Sequence, residues 1–315
     1  MLVIEGARPV SVAGKPVYYD TSGGEEAMMA DVPVLPELYA GVATRTETVP
    51  RALGRLGDLE VRLARTPAEL KRAQKLRYSV FYKEMSAIAD FRARLLRRDT
   101  DAFDRYCDHL LVFDNGSDPA FNPRIVGTYR LLRQTVADNA CGFYTSGEYD
   151  LRPMLQRHAG RNFLELGRSC VLKPYRTKRT VELLWHGIWS FVRRHDIDVM
   201  FGCASLEGTD IGKLAPVLSW LRQTARSPEE WRVAAQPGRG IALDDLPPSD
   251  ISSDAAFRAL PPLIKGYLRI GGTIGDEAVV DHQFGTTDIF IVLPVERINP
   301  RYVNYYGQEA TRYAA

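Results

Sequence analysis

Hydrophobic and polar residues first alternate regularly near residue 59. Residues Leu59–Leu63 alternate as a half-buried strand does, and Thr66 with Glu69 forms a capping box at the start of a helix. An apolar stripe with helical spacing continues from there to Phe81. The pattern therefore predicts a strand followed directly by a helix that packs on a sheet.

Apolar runs and amphipathic stretches predict the remaining elements of the chain. Strands are predicted at 107–114, 125–133, 162–172, 199–204 and 288–293, and helices at 177–195, 211–225 and 262–270. Elements in this order fit neither a plain doubly wound sheet nor a barrel.

The composition of two segments sets them apart from these elements. Residues 1–57 are rich in Gly, Pro, Ala and Thr without a sustained period, which predicts an N-terminal arm outside a domain at 58–315. Residues 226–260 carry clusters of Pro, Ser and Asp, and are predicted to be an insertion in that domain.

Charge is balanced over the whole chain but not locally. The 315 residues include 41 Lys or Arg and 39 Asp or Glu, so no overall field attracts nucleic acid. Residues 62–98, however, hold eleven Lys or Arg against three acidic residues. This segment predicts either a solvated helical face or a landing surface for an acidic protein or an anionic membrane.

Several classes of protein are excluded by what the sequence lacks. The four cysteines stand at 107, 141, 170 and 203 without any CxxC pair, which predicts no metal site and suits a reducing cytoplasm. No Gly-rich nucleotide motif, zinc-protease motif or serine-hydrolase motif occurs. Neither a signal peptide nor an apolar run long enough for a membrane span is visible, so we expect a cytoplasmic protein, at most peripheral on the inner membrane.

The most informative stretch is 163–171, Phe-Leu-Glu-Leu-Gly-Arg-Ser-Cys-Val, followed by a helix that opens near Thr177. It resembles the fourth strand and next helix of the GNAT acyltransferase superfamily. The resemblance implies an α/β fold with a mixed, mostly antiparallel central sheet, flanked by helices, whose fourth and fifth strands splay apart. In that fold the pantetheine arm of the donor enters the gap.

The helix start departs from the superfamily pattern in one respect. Members that use coenzyme A have a Gly-rich loop there, whose N–H groups hold the pyrophosphate, whereas residues 176–181 contain no glycine. This suits a donor with a single phosphodiester, the phosphopantetheine of acyl carrier protein, and no other cofactor. The basic residues expected to meet the acidic carrier are Lys173, Arg176, Lys178 and Arg179.

Two groups within the superfamily are more closely similar. Acyl-homoserine-lactone synthases show pieces such as Arg77-x-x-x-Phe81 and Glu165-x-x-Arg168 in the same order. The bacterial ornithine lipid acyltransferases match over 59 to about 295. Their blocks are at 106–112, 143–150, 201–205, 260–269 and 281–288. This resemblance implies transfer of a 3-hydroxyacyl chain from acyl carrier protein to the α-amino group of L-ornithine, giving lyso-ornithine lipid.

Aminolysis of a thioester requires an amine that has lost its proton, and Glu165 is the candidate general base. Alternatively, Glu165 is an ion-pair partner of Arg168. Residues three apart on a regular strand face opposite sides, so Gly167 between them predicts a bulge that re-aims one side chain.

The acceptor carries a carboxylate, which suits an arginine, and a second ammonium, which suits a carboxylate. The candidates are Arg77, Arg130 and Arg168 for the first group, and Asp101, Asp104 and Asp108 for the second. Alternatively, Arg77 and Arg130 pair with these aspartates and fasten the first helix over the sheet.

Two other functions remain compatible with the sequence. The first is another carrier-dependent N-acyltransferase, such as an enzyme of the acyl-homoserine-lactone type. The second is a non-catalytic GNAT-like module that binds acyl carrier protein or membrane, in which Glu165 would be dispensable.

Overall fold

The computed structural model describes residues 52–85, 87–116, 123–247 and 251–302, together with Tyr313 and the backbone of a short hairpin, β1 (Val10–Val12) and β2 (Lys15–Val17). Most of the predicted arm at 1–57 therefore lies outside the described residues.

The remaining strands follow in chain order. They are β3 (Gly54–Leu56), β4 (Leu59–Leu63), β5 (Asp108–Asp114), β6 (Arg124–Arg133), β7 (Tyr149–Asp150), β8 (Phe163–Val171), β9 (Val199–Glu207), β10 (Ala234–Ala235), β11 (Gly240–Ala242), β12 (Thr273–Asp281) and β13 (Thr286–Pro294). The α-helices are α1 (Pro67–Tyr78), α2 (Phe91–Leu96), α3 (Gln134–Ala137), α4 (Arg152–Arg157), α5 (Lys178–Arg194), α6 (Ile211–Ala225), α7 (Ser253–Ala259) and α8 (Pro262–Ile270).

Nine of these strands form one mixed sheet in the order β11-β12-β13-β9-β8-β6-β5-β4-β3. Its neighbours are antiparallel except for β8 and β9, which run parallel. The predicted fold class is confirmed. The sheet begins at Gly54, four residues before the predicted domain start, and the segment predicted as an insertion supplies its other edge strand, β11. The sequence pattern did not predict β12.

Apolar side chains cover both faces of the sheet. On one face, α5 and α8 pack over residues such as Leu110, Leu164 and Ile291. On the other face, Phe163, Phe201 and Phe290 line a second apolar cluster. A central sheet covered on both sides buries its strands almost completely, which explains why every residue of β13 is buried.

The predicted splay between β8 and β9 is confirmed. The two strands pair only from Phe163–Glu165 to Val199–Phe201, although β8 continues to Val171 and β9 to Glu207. At the point of divergence, a Cβ on Gly202 would lie 2.3 Å from the carbonyl oxygen of Leu166. Only glycine allows so close an approach of the two backbones. Beyond it the sheet opens into a gap.

Among the described residues, no helix combines the length and the apolar character that crossing a bilayer would require.

Candidate active site

A bulge in β8 lies beside the gap, as predicted from Gly167. Arg130 of β6 pairs with Gly167 and Thr128 pairs with Cys170, so β8 has one residue more than β6 between these pairs. Arg168 takes a left-handed conformation there, with φ of 48°. The extra residue turns Arg168 to the face that carries Glu165, because the side chains of both residues contact Tyr144.

The guanidinium of Arg168 lies between two aromatic rings. Its central carbon is 4.9 Å from the ring centre of Tyr144 and 4.6 Å from that of Phe284. On one side, Nη2 donates to Oδ2 of Asp101 at 3.3 Å and Nε lies 3.5 Å from Oδ2 of Asp99. The cation is therefore held by rings and carboxylates, and its side chain is still 13% exposed.

The other two candidate arginines are enclosed in the same network. Arg77 is fully buried and donates to both oxygens of Asp104 at 2.8 Å, and Arg130 donates to Asp101 at 2.6 Å. Burial disfavours the charge on Asp104, but the charge and hydrogen bonds of Arg77 outweigh burial and hold its pKa well below its usual range. The structure thus joins these arginines to the aspartates in the way that fastens α1 over the sheet.

Exposure distinguishes the three arginines. The side chains of Arg77 and Arg130 are 0% and 4% exposed, whereas Arg168 reaches solvent at the gap. Asp101 and Asp104 are occupied by these arginines, and Asp108 pairs with Arg133 at 3.2 Å. Asp99, which sequence reasoning missed, completes the network. Of these three arginines, Arg168 has the most accessible guanidinium.

The carboxylate of Glu165 is 4% exposed and accepts N–H hydrogen bonds from Tyr144 at 2.9 Å and Thr145 at 2.6 Å. It therefore holds the start of the 3-10 turn Tyr144–Gly147. Burial raises the pKa of Glu165, although these hydrogen bonds oppose the shift. No ion pair joins Glu165 to Arg168 in the described part of the chain, so the alternative that made them partners is wrong.

Sequence reasoning also missed three carboxylates near Tyr144. Glu148, Asp281 and Asp288 each place an oxygen within 4.8 Å of the other two, and we call them the acidic cluster. Burial, followed by the charge of Asp288, raises the pKa of Glu148 to about 7. Two blocks of the family resemblance, 143–150 and 281–288, contain all three residues, and that signal could have found them.

The acidic cluster lies beside the gap. Asp288 of β13 stands opposite Ser205 of β9, beyond the point where β9 leaves β8. The backbone N–H of Phe284, whose ring underlies Arg168, donates to Asp281 at 3.0 Å. Arg168 and the acidic cluster therefore flank one region of the gap.

A basic surface surrounds the start of α5. Lys173, Arg176, Lys178 and Arg179 are all exposed, as predicted for a docking surface. Arg176 forms an ion pair with Glu84 and donates to the carbonyl of Val171, whereas Lys178 lies 3.6 Å from Glu182.

Comparison with known proteins identifies the family. The profile of the acetyltransferase (GNAT) domain matches residues 76–186. The L-ornithine N(alpha)-acyltransferase of Brucella abortus is 50% identical over 261 residues, covering 83% of this chain and 93% of the relative. The protein of that name from Rhodobacter capsulatus is 36% identical and covers 78% and 94%.

The chain belongs to the L-ornithine N(alpha)-acyltransferase family. The predicted family membership and the predicted acyltransferase activity are thereby confirmed. Among solved structures, an N-acyl amino acid synthase from uncultured soil microbes aligns with a TM-score of 0.40 and 11% identity, over 76% of this chain and 91% of that one.

The raised pKa of Glu148 predicts how the stability of this acyltransferase varies with pH. Between the unfolded value of 4.5 and about 7, the folded chain binds a proton that the unfolded chain has lost. The contribution of Glu148 to the free energy of unfolding therefore decreases as the pH rises from 4.5 to about 7. Glu148→Gln should remove the loss, so that from pH 5 to pH 8 the variant gains on the order of 2–3 kcal/mol of unfolding free energy relative to wild type.

Urea denaturation at several pH values measures this difference. Glu229→Gln, at an exposed glutamate, is the matched control and should follow the wild type. Parallel pH profiles for wild type and Glu148→Gln would show that Glu148 ionises normally in the folded state.

Proposed function

We propose that this acyltransferase moves a 3-hydroxyacyl chain from the phosphopantetheine of acyl carrier protein to the α-amino group of L-ornithine, giving lyso-ornithine lipid as the first step of ornithine lipid biosynthesis. The observation that carries the proposal is sequence similarity to relatives named L-ornithine N(alpha)-acyltransferase. About half of the aligned residues are identical, and the alignments cover 93% and 89% of the two relatives.

The gap between β8 and β9 supports an extended donor arm. Backbone pairing of the two strands ends at Glu165 and Phe201, so their facing edges beyond that point are open. The amide groups of a pantetheine arm can pair with such an edge as an added strand does. A β8 N–H group would then receive the oxygen of the thioester as charge develops on it.

The basic surface favours acyl carrier protein as the bearer of that arm. Its four cations lie around the start of α5, where the sequence lacks the glycines of a pyrophosphate loop. A helix start disfavours cations unless they have an anionic partner. Arg176 and Lys178 have such partners in Glu84 and Glu182, whereas Lys173 and Arg179 form no ion pair among the described residues. An acidic carrier with a single phosphodiester fits both the charge and the absent loop.

Arg168 is the proposed ligand of the acceptor carboxylate. Its only hydrogen bond to a described residue is donated by Nη2, so Nη1 can donate to a substrate at the exposed side of the gap. A guanidinium beside the α-amine also lowers the pKa of that amine. Glu165 remains the predicted general base, acting directly or through water, in addition to holding the turn at Tyr144. Substrate contacts of Arg77, Arg130, Asp101, Asp104 and Asp108 remain predictions.

Purified protein with 3-hydroxyacyl carrier protein and a panel of amino acids tests the function, with products identified by mass spectrometry. We expect acylated L-ornithine, carrying the chain on its α-nitrogen, and a much lower rate with 3-hydroxyacyl coenzyme A. Product from other amino acids alone would refute the acceptor, a homoserine-lactone product would favour the related synthases, and no product with any amine would favour a binding module.

In the same assay, Arg168→Lys should raise KM for ornithine about 10- to 100-fold, because the two-donor fork is lost, and leave KM for the carrier unchanged.

Glu165→Gln should remove the acidic limb of the pH profile of kcat/KM if Glu165 is the base. A lower rate with an unchanged profile would assign Glu165 to holding the turn alone.

Charge reversal tests carrier docking. Arg176 is tied to Glu84, so the cleaner double variant is Lys173→Glu with Arg179→Glu. We expect KM for acyl carrier protein to rise about 10-fold at low salt, and the effect to shrink at high salt. Arg193→Glu with Arg194→Glu, at the far end of α5, makes the same change in net charge and should have little effect. Equal effects of the two pairs would contradict a defined surface.

We also propose a cytoplasmic protein in peripheral contact with an anionic inner membrane. The side chains of Ile88, Phe91 and Leu95 are 67%, 75% and 70% exposed around the short helix α2, beside the exposed cations Arg92 and Arg94. Exposed apolar side chains can insert into a lipid surface, and neighbouring arginines are attracted to its anionic head groups. The amphiphilic product gives the enzyme a reason to reach that surface.

Phe91→Ser with Leu95→Ser should weaken co-sedimentation with phosphatidylglycerol vesicles about 10-fold, because two exposed apolar anchors are removed. Vesicles of phosphatidylcholine alone should bind the wild type weakly. Unchanged kcat/KM with the carrier substrate is the control for folding, and equal binding of both proteins to anionic vesicles would contradict this membrane contact.

A further inference from the structure

The acidic cluster is a group of three carboxylates, two of them buried, that no cation among the described residues pairs with. In the neighbouring network, each of Asp99, Asp101 and Asp104 lies against arginine. Within the described residues, by contrast, no Lys, Arg or His forms an ion pair with the three carboxylates of the acidic cluster. Burying an isolated carboxylate has a large free-energy cost. The cluster therefore needs either a cation from outside the chain or protons shared between its carboxylates.

One carboxylate oxygen of the cluster is both buried and without a hydrogen bond of ordinary geometry. The side chain of Glu148 is 5% exposed, and its Oε2 is buried without a hydrogen-bond partner among the described residues. Asp288 is 6% exposed and accepts from the hydroxyl of Thr286 at 2.9 Å. Asp281 accepts two backbone N–H bonds of its own turn. Glu148 thus has a buried acceptor oxygen, and one of its oxygens lies within 4.8 Å of an oxygen of each of the other two carboxylates.

The geometry suits an ammonium group. A protonated amine has three N–H donors and no acceptor, which matches three carboxylate oxygens within 4.8 Å of one another. A divalent cation of the calcium type needs six or more oxygen ligands. The groups packed around the cluster include the ring of Tyr144, the hydroxyl of Ser205 beside Asp288, and the thiol of Cys203 beside Glu148. Burial keeps that thiol protonated by raising its pKa. Two arginines lie close enough to affect the cluster electrostatically, Arg239 near Glu148 and Arg168 near Asp288.

Resting on the proposed function, we infer that Glu148, Asp281 and Asp288 bind the side-chain ammonium of the acceptor amino acid and thereby select a basic side chain. The acceptor would lie with its carboxylate at Arg168 and its side chain directed past Phe284 to the acidic cluster.

The chemistry of the reaction assigns the cluster to the side-chain amine and not to the attacking one. Three carboxylates favour the protonated form of any amine that they bind. The attacking amine must be neutral, so such a site would suppress its reactivity. The side-chain amine takes no part in the reaction and keeps its charge.

A comparison of two acceptors tests the inference. L-Norvaline has the carbon skeleton of ornithine without the terminal amine. For wild type, kcat/KM with ornithine should exceed that with norvaline at least 100-fold. In Asp288→Asn and in Glu148→Gln, kcat/KM for ornithine should fall about 10- to 100-fold, through KM, because a charged hydrogen-bond partner is lost. The value for norvaline should stay within about threefold of wild type. Asp245→Asn, at an exposed aspartate, is the matched control.

Other outcomes would overturn the inference. Equal losses with both acceptors would show a structural role, in which the carboxylates share a proton, and unchanged ornithine kinetics would show no role. Calcium or magnesium binding that both variants abolish would make the cluster a metal site. Calorimetric binding of ornithine and norvaline gives the same comparison without a donor.

Failure of the proposed function gives a different result. If wild type acylates lysine and not ornithine, the acceptor proposal fails but the ammonium site stands, provided that the variants lose lysine selectively. If wild type prefers norvaline, the ammonium site fails whatever the acceptor.

Discussion

Compensation of buried charge is the constraint on which the candidate site of this protein depends. Arg77 has no exposed surface and is bound by Asp99 and Asp104. Removing one partner from such a buried pair typically costs about 3–5 kcal/mol, because the other charge stays behind. The network joins α1, the segment after α2 and two central strands. The result is a continuous network of alternating positive and negative side chains, in which Arg168 is the most exposed of the three arginines.

The bulge in β8 sets the direction of the Arg168 side chain at the end of this network. Without the additional residue, Arg168 would face away from Glu165, since side chains three positions apart on a strand alternate. The left-handed backbone at Arg168 carries a conformational cost of about 1–2 kcal/mol. Contacts with Tyr144, Phe284 and two aspartates offset it. The strain is thus located where β8 parts from β9 and a substrate can enter.

The sequence predicted features that depend on local pattern. Helices α6 and α8 begin and end at the predicted residues, and the bulge follows from one glycine between two charged residues. Strand β12 escaped prediction because Asp276 and Glu277 interrupt its apolar alternation. These residues lie near the edge of the sheet, where Asp276 pairs with Arg226 and β11 covers Glu277.

The candidate site was only partly predictable, since it depends on contacts between distant segments. Arg168 and the aspartates at 101 and 104 were found, because one resemblance placed them in a fixed order. Which arginine is accessible depends on burial, which the sequence does not state. The acidic cluster joins Glu148 to a hairpin more than 130 residues away (Asp281). Its blocks could be recognised, but the convergence of their carboxylates required the structure.

The opposed charges on the two sides of the gap also bear on which nitrogen is acylated. Under the proposed arrangement, the α-amine lies beside the guanidinium of Arg168, which lowers its pKa, and the side-chain amine lies among three carboxylates, which raise its pKa. In water the α-amine of an amino acid is already the weaker base of the two. The site would widen that difference, so that one nitrogen is neutral near the thioester while the other remains charged. Selection of the α-nitrogen would then follow from electrostatics, without a need to exclude the side chain by shape.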